Sequence, residues 1–217
     1  MNGQRNILFF KNPIHLHIKP TIKCRIHLDE KYVKVKKKDC YDLNAIDSKT
    51  KYVLAHLFVE KRTLNKCKEF LWQIKLTCYK QILEKYNKEK NKPSKKRKLI
   101  VFVCDKFENY KNAFNKLFYR VAKLRFGIPI KAKRNGLKHN NNHIERYNQD
   151  IKDRIKTMRG FFSYRRAEYF LNLKHIIHNF VNPHMQLKGK TPAEAAGVDL
   201  KLGRRKLYNL IKLMAKR

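Results

Sequence analysis

The chain has 217 residues, 42% of them hydrophobic, and carries 53 Lys and Arg against 17 Asp and Glu, a formal net charge of +36 at pH 7. This length and apolar content suffice for one domain with a core, and the charge favours a polyanion, with nucleic acid preferred over an anionic membrane surface. Because no apolar run approaches the roughly 18 residues of a membrane span and no signal-peptide pattern opens the chain, we expect a cytoplasmic, nucleoid-associated protein without a membrane partner.

The first third of the chain predicts three antiparallel strands. Ile22, Cys24, Ile26 and Leu28 alternate with polar residues, so a strand is expected over 22–29, continuing after a bend over 32–36. Further strands are predicted over 41–47 and 52–60, with a turn at 48–51 that Asp47 stabilises through its side chain. The five cysteines are odd in number and form no CxxC pair, which favours reduced thiols over disulfides or a zinc site.

The middle of the chain changes to helical periodicity. Apolar spacing predicts a helix over 63–86 and another from Tyr110 to Leu124, separated by a basic loop and by the run LIVFVCD. Because that run, 99–105, is continuously apolar, it predicts a strand buried on both faces of a parallel sheet. GIPIKA, 127–132, is expected to be a short edge strand.

The last third is predicted to be helical. A single apolar stripe defines one helix, and a second is expected from Ser163 to Val181. TPAEAA starts a short helix, and the tail from Arg204 is basic and amphipathic. The stripe consists of Ile144, Tyr147, Ile151, Ile155 and Met158.

The order β-β-β-α-β-α-β-α predicts an α/β fold, with a mixed five-stranded sheet, helices on both faces and C-terminal helical additions. We expect a short N-terminal extension over 1–21, a catalytic domain over 22–183 and a basic C-terminal tail over 184–217.

Three of the scarce acids fall at informative places. Asp29 ends the first predicted strand, Asp105 ends the fourth, and Glu145 begins a helix rich in basic and amide side chains. If strands one and four are parallel neighbours, Asp29 and Asp105 meet at the carboxyl edge of the sheet, where sites form in open α/β folds. Three carboxylates there would bind Mg²⁺ or Mn²⁺, two ions of which promote displacement at phosphorus. Taken singly, each acid is better explained as an ordinary turn or helix-start residue, and only the placement of all three together brings the metal-site interpretation level with that explanation.

Several motifs together resemble the DDE-type transposases of bacterial and archaeal insertion sequences, which belong to the retroviral-integrase superfamily. They run over about 22–198 and read IHLDEKYVKV, NAIDSKTKYVLAHLF, VFVCDKFENYKNAF, NNNHIERYNQDIKDRIKTMRGF and NPHMQLKGKTPAEAAGV. The resemblance implies an RNase H-like fold and a catalytic, metal-binding triad of Asp29, Asp105 and Glu145. It also implies two Mg²⁺ or Mn²⁺ ions, cleavage and strand transfer on transposon DNA, and at least a homodimer.

Basic residues are expected to hold the DNA backbone. The resemblance places Lys152 seven positions after Glu145, on the same helix face, where it contacts DNA phosphates. The other expected DNA contacts are Arg146, Lys156, Lys95, Lys96 and Arg97, the last three lying in a loop that is equally readable as solvated surface.

Alternative functions stay open from the sequence. Because only about 20 residues precede the first strand, the chain is expected to lack the family's N-terminal DNA-binding domain, and an inactive, truncated remnant that only binds DNA is the main alternative. A basic RNA-binding protein, or a nuclease or resolvase on the same fold, is also compatible with the charge. Glu30 is expected at the surface or in a turn, and the histidines His175, His178 and His184 lack a complete set of metal ligands.

Overall fold

The computed structural model describes residues 18–23, 25–127 and 142–215, and for Asn142 and His143 the backbone alone. Its sheet has five strands in the order β3-β2-β1-β4-β5. The strands are β1 (Ile26–Val35), β2 (Lys38–Asp47), β3 (Val53–Val59), β4 (Val101–Cys104) and β5 (Lys123–Phe126). The first three are antiparallel neighbours, whereas β4 pairs in parallel with both β1 and β5.

The first strand is longer than its sequence pattern indicated. The strand predicted over 22–29 begins only at Ile26, and it continues without interruption through the segment predicted over 32–36 to Val35. The hairpin residues Lys36 and Lys37 then turn the chain into β2. Both lysines have positive φ, 48° and 66°, as a two-residue hairpin turn with the favoured twist requires. The turn after β2 is as predicted, because Asp47 accepts hydrogen bonds of 2.8 Å from the backbone N–H and the hydroxyl of Thr50.

Helices cover both faces of the sheet. They are α1 (Leu64–Glu89), α2 (Glu108–Phe118), α3 (Asn142–Thr157), α4 (Tyr164–Phe180), α5 (Pro192–Ala195) and α6 (Lys206–Ala215). The main core joins α1 and α2 to one face through residues such as Leu28, Phe70 and Phe114. A second cluster joins α3 and α4 to the opposite face through residues such as Val33 and Ile144. The predicted α/β architecture with helices on both faces is therefore confirmed.

The end of the second predicted helix is wrong. The helix stops at Phe118 instead of reaching Leu124, and Arg120 adopts a left-handed φ of 65°. Leu124 then lies in β5, opposite Phe102 of β4. The helical spacing of Leu124 was misleading, since the pairing of β5 with β4 also packs this side chain, partly buried, against the main core. The edge strand predicted over 127–132 begins at Gly127, which lies in no strand, and its remaining residues are outside the described ranges.

The C-terminal segment packs onto the main core. Thr191 and Glu194 form a reciprocal capping box at the start of α5, as the TPAEAA pattern predicted. Ala193, Ala196 and Leu210 join the core beneath it, and the backbone N–H of Thr21 donates to the carbonyl of Ala196 at 2.8 Å. Cys40, Cys67, Cys78 and Cys104 are buried free thiols. No helix in the described ranges is both long and apolar enough to cross a membrane.

Candidate active site

Asp29 and Asp105 lie level with each other on adjacent parallel strands. Asp29 is in β1, and Asp105 directly follows β4. The parallel register pairs Ile26 with Phe102, an offset of 76 positions, and Asp29 and Asp105 have the same offset (105 − 29 = 76). Extending the register by three residues therefore aligns the two acids at the carboxyl end of β4, the edge where sites form in such sheets.

Glu145 reaches the same region from α3. The helix packs on β1 and β2 because Ile144, Tyr147 and Ile151 bury its apolar stripe against the sheet. Glu145 lies in the first helical turn, beside that stripe, and is exposed. The helix therefore carries one carboxylate to the edge of its contact with the strand that bears Asp29.

Asp29 lies close enough to Asp105 and Glu145 for both of their charges to affect its pKa. The pKa of Asp29 is raised to about 6, chiefly by burial and in addition by the negative charges of Asp105 and Glu145. A hydrogen bond from Asn148 and the positive charge of Lys152 oppose the rise. Asp29 thus loses most of its solvent while it lies near two like charges, which makes its ionised form costly without a cation.

The three acids influence one another electrostatically, but their carboxylate oxygens do not all lie within 4.8 Å of one another. In the part of the chain that the structure describes, one group of His, Cys, Asp and Glu side chains places all its ligand atoms within 4.8 Å of one another, and its members are Asp42, His56 and His175. The oxygens of Asp29, Asp105 and Glu145 are consequently spread more widely, around an open edge where the last two are exposed.

The segment after Asp105 is anchored by Arg62. The Arg62 guanidinium lies 4.6 Å from the ring centroids of both Phe107 and Tyr41, and it forms an ion pair with Glu30. Glu30 is 8% exposed, so its expected surface position is wrong. It does point away from the face of Asp29, as strand alternation requires, and its carboxylate is buried because Arg62 neutralises it.

The expected DNA-contacting residues fall into two regions. Lys152, Arg146 and Lys156 are exposed on α3, and Lys152 lies near enough to Asp29 for its charge to lower the pKa of that acid. Lys95 and Lys96 form a 3₁₀ turn before β4, so the whole strand separates them from Asp105.

Arg97 has a structural role at the end of α1. Its guanidinium donates hydrogen bonds of 2.8 Å to the backbone carbonyls of Lys90 and Lys92, just beyond the end of α1. The side chain thereby satisfies carbonyls that the helix leaves unpaired.

A buried polar cluster beneath α3 was missed by the sequence reasoning. Lys31 donates to Asp42 at 2.9 Å, and both side chains have no solvent exposure. Burial alone would raise the pKa of Asp42, but the charge of Lys31 and the hydrogen bond from His175 outweigh it and hold the pKa well below its usual range. Burial lowers the pKa of His175 far below its usual range.

The cluster has metal-like ligand types but already contains a cation. His56 Nδ1 and His175 Nε2 lie 3.4 and 3.2 Å from the two oxygens of Asp42. Since the Lys31 ammonium neutralises this carboxylate, we interpret the cluster as a closed ion-pair network. Alternation with Leu43 and Ala45 makes Asp42 look solvent-facing in the sequence, which is why the network gave no local signal.

Comparisons with known proteins identify the family. Residues 23–184 match the family model DDE_Tnp_IS240, a DDE domain. The chain belongs to the DDE-domain family of transposases. No curated protein matches its sequence.

Solved structures show the same fold at low identity. A chain of the simian T-cell lymphotropic virus intasome, determined by cryoEM with PP2A regulatory subunit B56 gamma, is similar with a TM-score of 0.50 and 13% identity. The similarity covers 87% of this chain and 62% of the intasome chain. The HTLV-2 integrase catalytic core domain, in complex with magnesium, has a TM-score of 0.46 and 14% identity over 82% of this chain and 99% of that core. The order of the five strands and the similarity to the intasome chain confirm the RNase H-like fold expected from the sequence.

Proposed function

We propose that this chain is the catalytic domain of a transposase that cleaves DNA strands and transfers them to target DNA. Asp29, Asp105 and Glu145 are its catalytic carboxylates and hold two Mg²⁺ or Mn²⁺ ions. The observation that carries the proposal is the convergence of three acids at the carboxyl edge of the sheet, with Asp29 strongly perturbed by burial and by the other two charges.

The donor set fits a hard divalent cation. All three candidate ligands are carboxylates, the donors that Mg²⁺ and Mn²⁺ prefer over nitrogen or sulfur. Two exposed acids around a half-buried one leave room for substrate oxygens in the coordination shell. A pair of ions about 3.5–4 Å apart needs a wider spread of ligands than one ion does, which agrees with the wide spacing of the three acids.

Bound ions of this kind activate an attacking water or 3′-hydroxyl and stabilise the leaving oxygen at phosphorus. The residues of the chain position the reactants. Lys152 lies two helical turns after Glu145, on the same side of α3, where its ammonium can hold a phosphate beside the acids. Arg146 and Lys156 extend this positive surface along the exposed part of α3. Lys95 and Lys96 would contact DNA that continues past the opposite end of β4.

DNA is the partner that the charge supports best. A net charge of +36 attracts the phosphate backbone over long distances and releases condensed counterions on binding. Joining two transposon ends to one target requires two active sites held together, so we infer a homodimer or larger assembly on DNA.

The test is a cleavage and joining assay with labelled duplexes taken from DNA that flanks the gene, in 5 to 10 mM Mn²⁺ or Mg²⁺ (about the range that saturates weak carboxylate sites). Wild type should nick the duplexes and join the new 3′ ends to a second DNA. Asp105→Asn should bind the duplexes with unchanged affinity and reduce both reactions to background.

Asp39→Asn is the matched control. Asp39 is exposed, and the antiparallel register of β1 and β2 places it opposite Lys34. Lys34 is five residues along β1 from Asp29, so Asp39 lies about 17 Å from the candidate site. This control should act like wild type. Equal activity of Asp105→Asn and wild type would remove Asp105 from the mechanism. DNA binding without divalent-ion-dependent reaction in wild type would favour the alternative of a DNA-binding remnant.

A further inference from the structure

A layer of polar side chains crosses the sheet beneath α3, on the face that carries Asp29. The antiparallel register places Asp29 opposite Asn44 and Asn44 opposite His56, while Lys31 faces Asp42 in the next row. All except Asp29 are at most 3% exposed. Because these rows are adjacent, the buried ion pair of Lys31 and Asp42 lies one row from the candidate metal ligand.

Hydrogen bonds connect that ion pair to Asp29 through two amides. The Nδ2 of Asn148, on α3, donates to Oδ2 of Asp29 at 2.8 Å. The Nδ2 of Asn44 lies 3.3 Å from Oδ1 of Asn148, which it faces as a donor. The same Nδ2 faces two acceptors of Asp42, its Oδ2 at 3.2 Å and its backbone carbonyl at 3.0 Å. Lys31 completes the series by donating to Asp42 at 2.9 Å.

The charge of Asp42 dictates the orientation of both amides. An amide has a donor end and an acceptor end, and the two acceptors of Asp42 attract the donor end of Asn44. Asn44 therefore presents N–H groups to Asn148, which must turn its oxygen toward them and its NH₂ toward Asp29. Reversing the Asn148 amide would set an oxygen against the Asp29 carboxylate and an NH₂ against another NH₂.

We propose that Asn148 is a positioning residue for the Asp29 carboxylate, and that Asn44 and the Asp42–Lys31 pair hold its amide in the donating orientation. The inference rests on the proposed function, since it assumes that Asp29 is a metal ligand. It assigns the buried network a purpose: one oxygen of Asp29 is held by Asn148, which restrains rotation of the carboxylate while the other oxygen stays available for coordination.

A second series of hydrogen bonds connects α3 to Asp42. His175 of α4 faces Oδ2 of Asp42 with Nε2 at 3.2 Å, and its Nδ1 forms a hydrogen bond with the hydroxyl of Tyr147. Tyr147 directly precedes Asn148, so two successive residues of α3 are tied to Asp42. The helix that carries Glu145 and the amide that holds Asp29 are thereby located by one buried carboxylate.

The experiment measures two quantities for each variant. The first is the dissociation constant of Mn²⁺ from the full chain, followed through the EPR signal of the free ion, and the second is the Mn²⁺ concentration that gives half-maximal DNA cleavage. Loss of a residue that orients a metal ligand typically weakens metal affinity 10- to 100-fold. Asn148→Ala should therefore raise both Mn²⁺ values about tenfold or more, leave DNA affinity without divalent ions unchanged, and recover activity at high Mn²⁺. Asn44→Ala should shift both values in the same direction by a smaller factor.

The neighbouring amide Gln149 provides the matched control. Gln149 is exposed and donates to Asp153 at 2.6 Å, so Gln149→Ala removes an amide from α3 without touching the network. It should show wild-type Mn²⁺ values. A purely structural Asn148 would instead lower the melting temperature and DNA binding, with activity reduced equally at every Mn²⁺ concentration.

Three results would overturn the inference, and they are distinguishable. If Asp29→Asn abolishes Mn²⁺ binding but Asn148→Ala binds like wild type, the proposed function stands and the positioning residue is wrong. If Asn148→Ala shifts the Mn²⁺ values and Asn44→Ala does not, the control of the Asn148 amide by Asn44 is wrong. If wild type binds no Mn²⁺ through Asp29, the proposed metal centre fails and the inference fails with it.

Discussion

Replacing Asp29 by Asn should stabilise the protein at neutral pH in the absence of divalent ions. The pKa of Asp29 is raised to about 6 by burial and by the nearby charges of Asp105 and Glu145. An Asn of the same shape removes the charge, and its side-chain oxygen can still accept the hydrogen bond from Asn148. The candidate catalytic acid should therefore cost stability when no cation accompanies it.

The magnitude follows from the difference between the folded and unfolded pKa values. With about 6 in the folded state against 3.8 unfolded, the difference of roughly 2.2 corresponds to about 3 kcal/mol at 1.36 kcal/mol per unit. Since the folded pKa is the higher one, the unfolded state ionises first as the pH rises. The cost is absent well below pH 3.8, reaches about 1 kcal/mol at pH 4.5, and is complete at about 3 kcal/mol above pH 7.

The assay is urea unfolding followed by circular dichroism, at a series of pH values from 4.5 to 8, with EDTA present. Asp29→Asn should be about 3 kcal/mol more stable than wild type at pH 7.5 and about 1 kcal/mol more stable at pH 4.5, whereas the exposed control Asp39→Asn should follow wild type. Adding Mg²⁺ should stabilise wild type and not Asp29→Asn. A variant no more stable than wild type at pH 7.5, or a gain that does not change with pH, would refute the reasoning.

Three further outcomes are expected from other parts of the molecule. Lys31→Met leaves the buried Asp42 carboxylate without its ammonium and should destabilise the fold by about 3–5 kcal/mol in urea; an unchanged midpoint for Lys31→Met would contradict the ion pair. Burial lowers the pKa of His178 to about 4, so its contribution is complete above pH 6.5 and is lost as the pH falls toward 4; His178→Gln should flatten the stability profile across that window, and an NMR titration of His178 near pH 6.5 would show the reasoning wrong. Lys152→Ala should weaken DNA binding in fluorescence anisotropy and reduce the slope of log affinity against log salt by about 0.9; an unchanged slope would show that Lys152 contacts no phosphate.

Much of the fold was predictable because its signals are local. Alternation in β1 to β3, the continuous apolar run of β4 and the stripe of α3 each arise from burying one face or two. The boundary between α2 and β5 was predicted wrongly for the opposite reason. A strand as short as β5 has no periodic signal of its own, and Leu124 satisfies a helical stripe and a parallel ladder equally well.

The residues of the candidate site likewise fall into those that the sequence indicated and those that it did not. Asp29 and Asp105 became candidates because each follows an apolar pattern typical of a strand, although β1 continues past Asp29 to Val35, and Glu145 became one because it is an isolated acid on a basic helix. Asn148, Asn44 and the Asp42–Lys31 pair had no comparable signal. Polar residues that alternate with apolar ones normally indicate a face in contact with water, and here that face is covered by α3 and α4.

The amino-acid sequence alone indicated the order of the elements and the family, and it pointed to a nucleic-acid partner and to three candidate acids, because charge, periodicity and motifs are properties of neighbouring residues. Tertiary structure alone decided that β1 and β4 pair in the register that aligns Asp29 with Asp105. It also decided that buried polar side chains from three strands and two helices meet and bind one another beneath the site. A buried polar group is stable when its partners are present, and those partners lie as far as 133 residues away in the chain, as His175 does from Asp42.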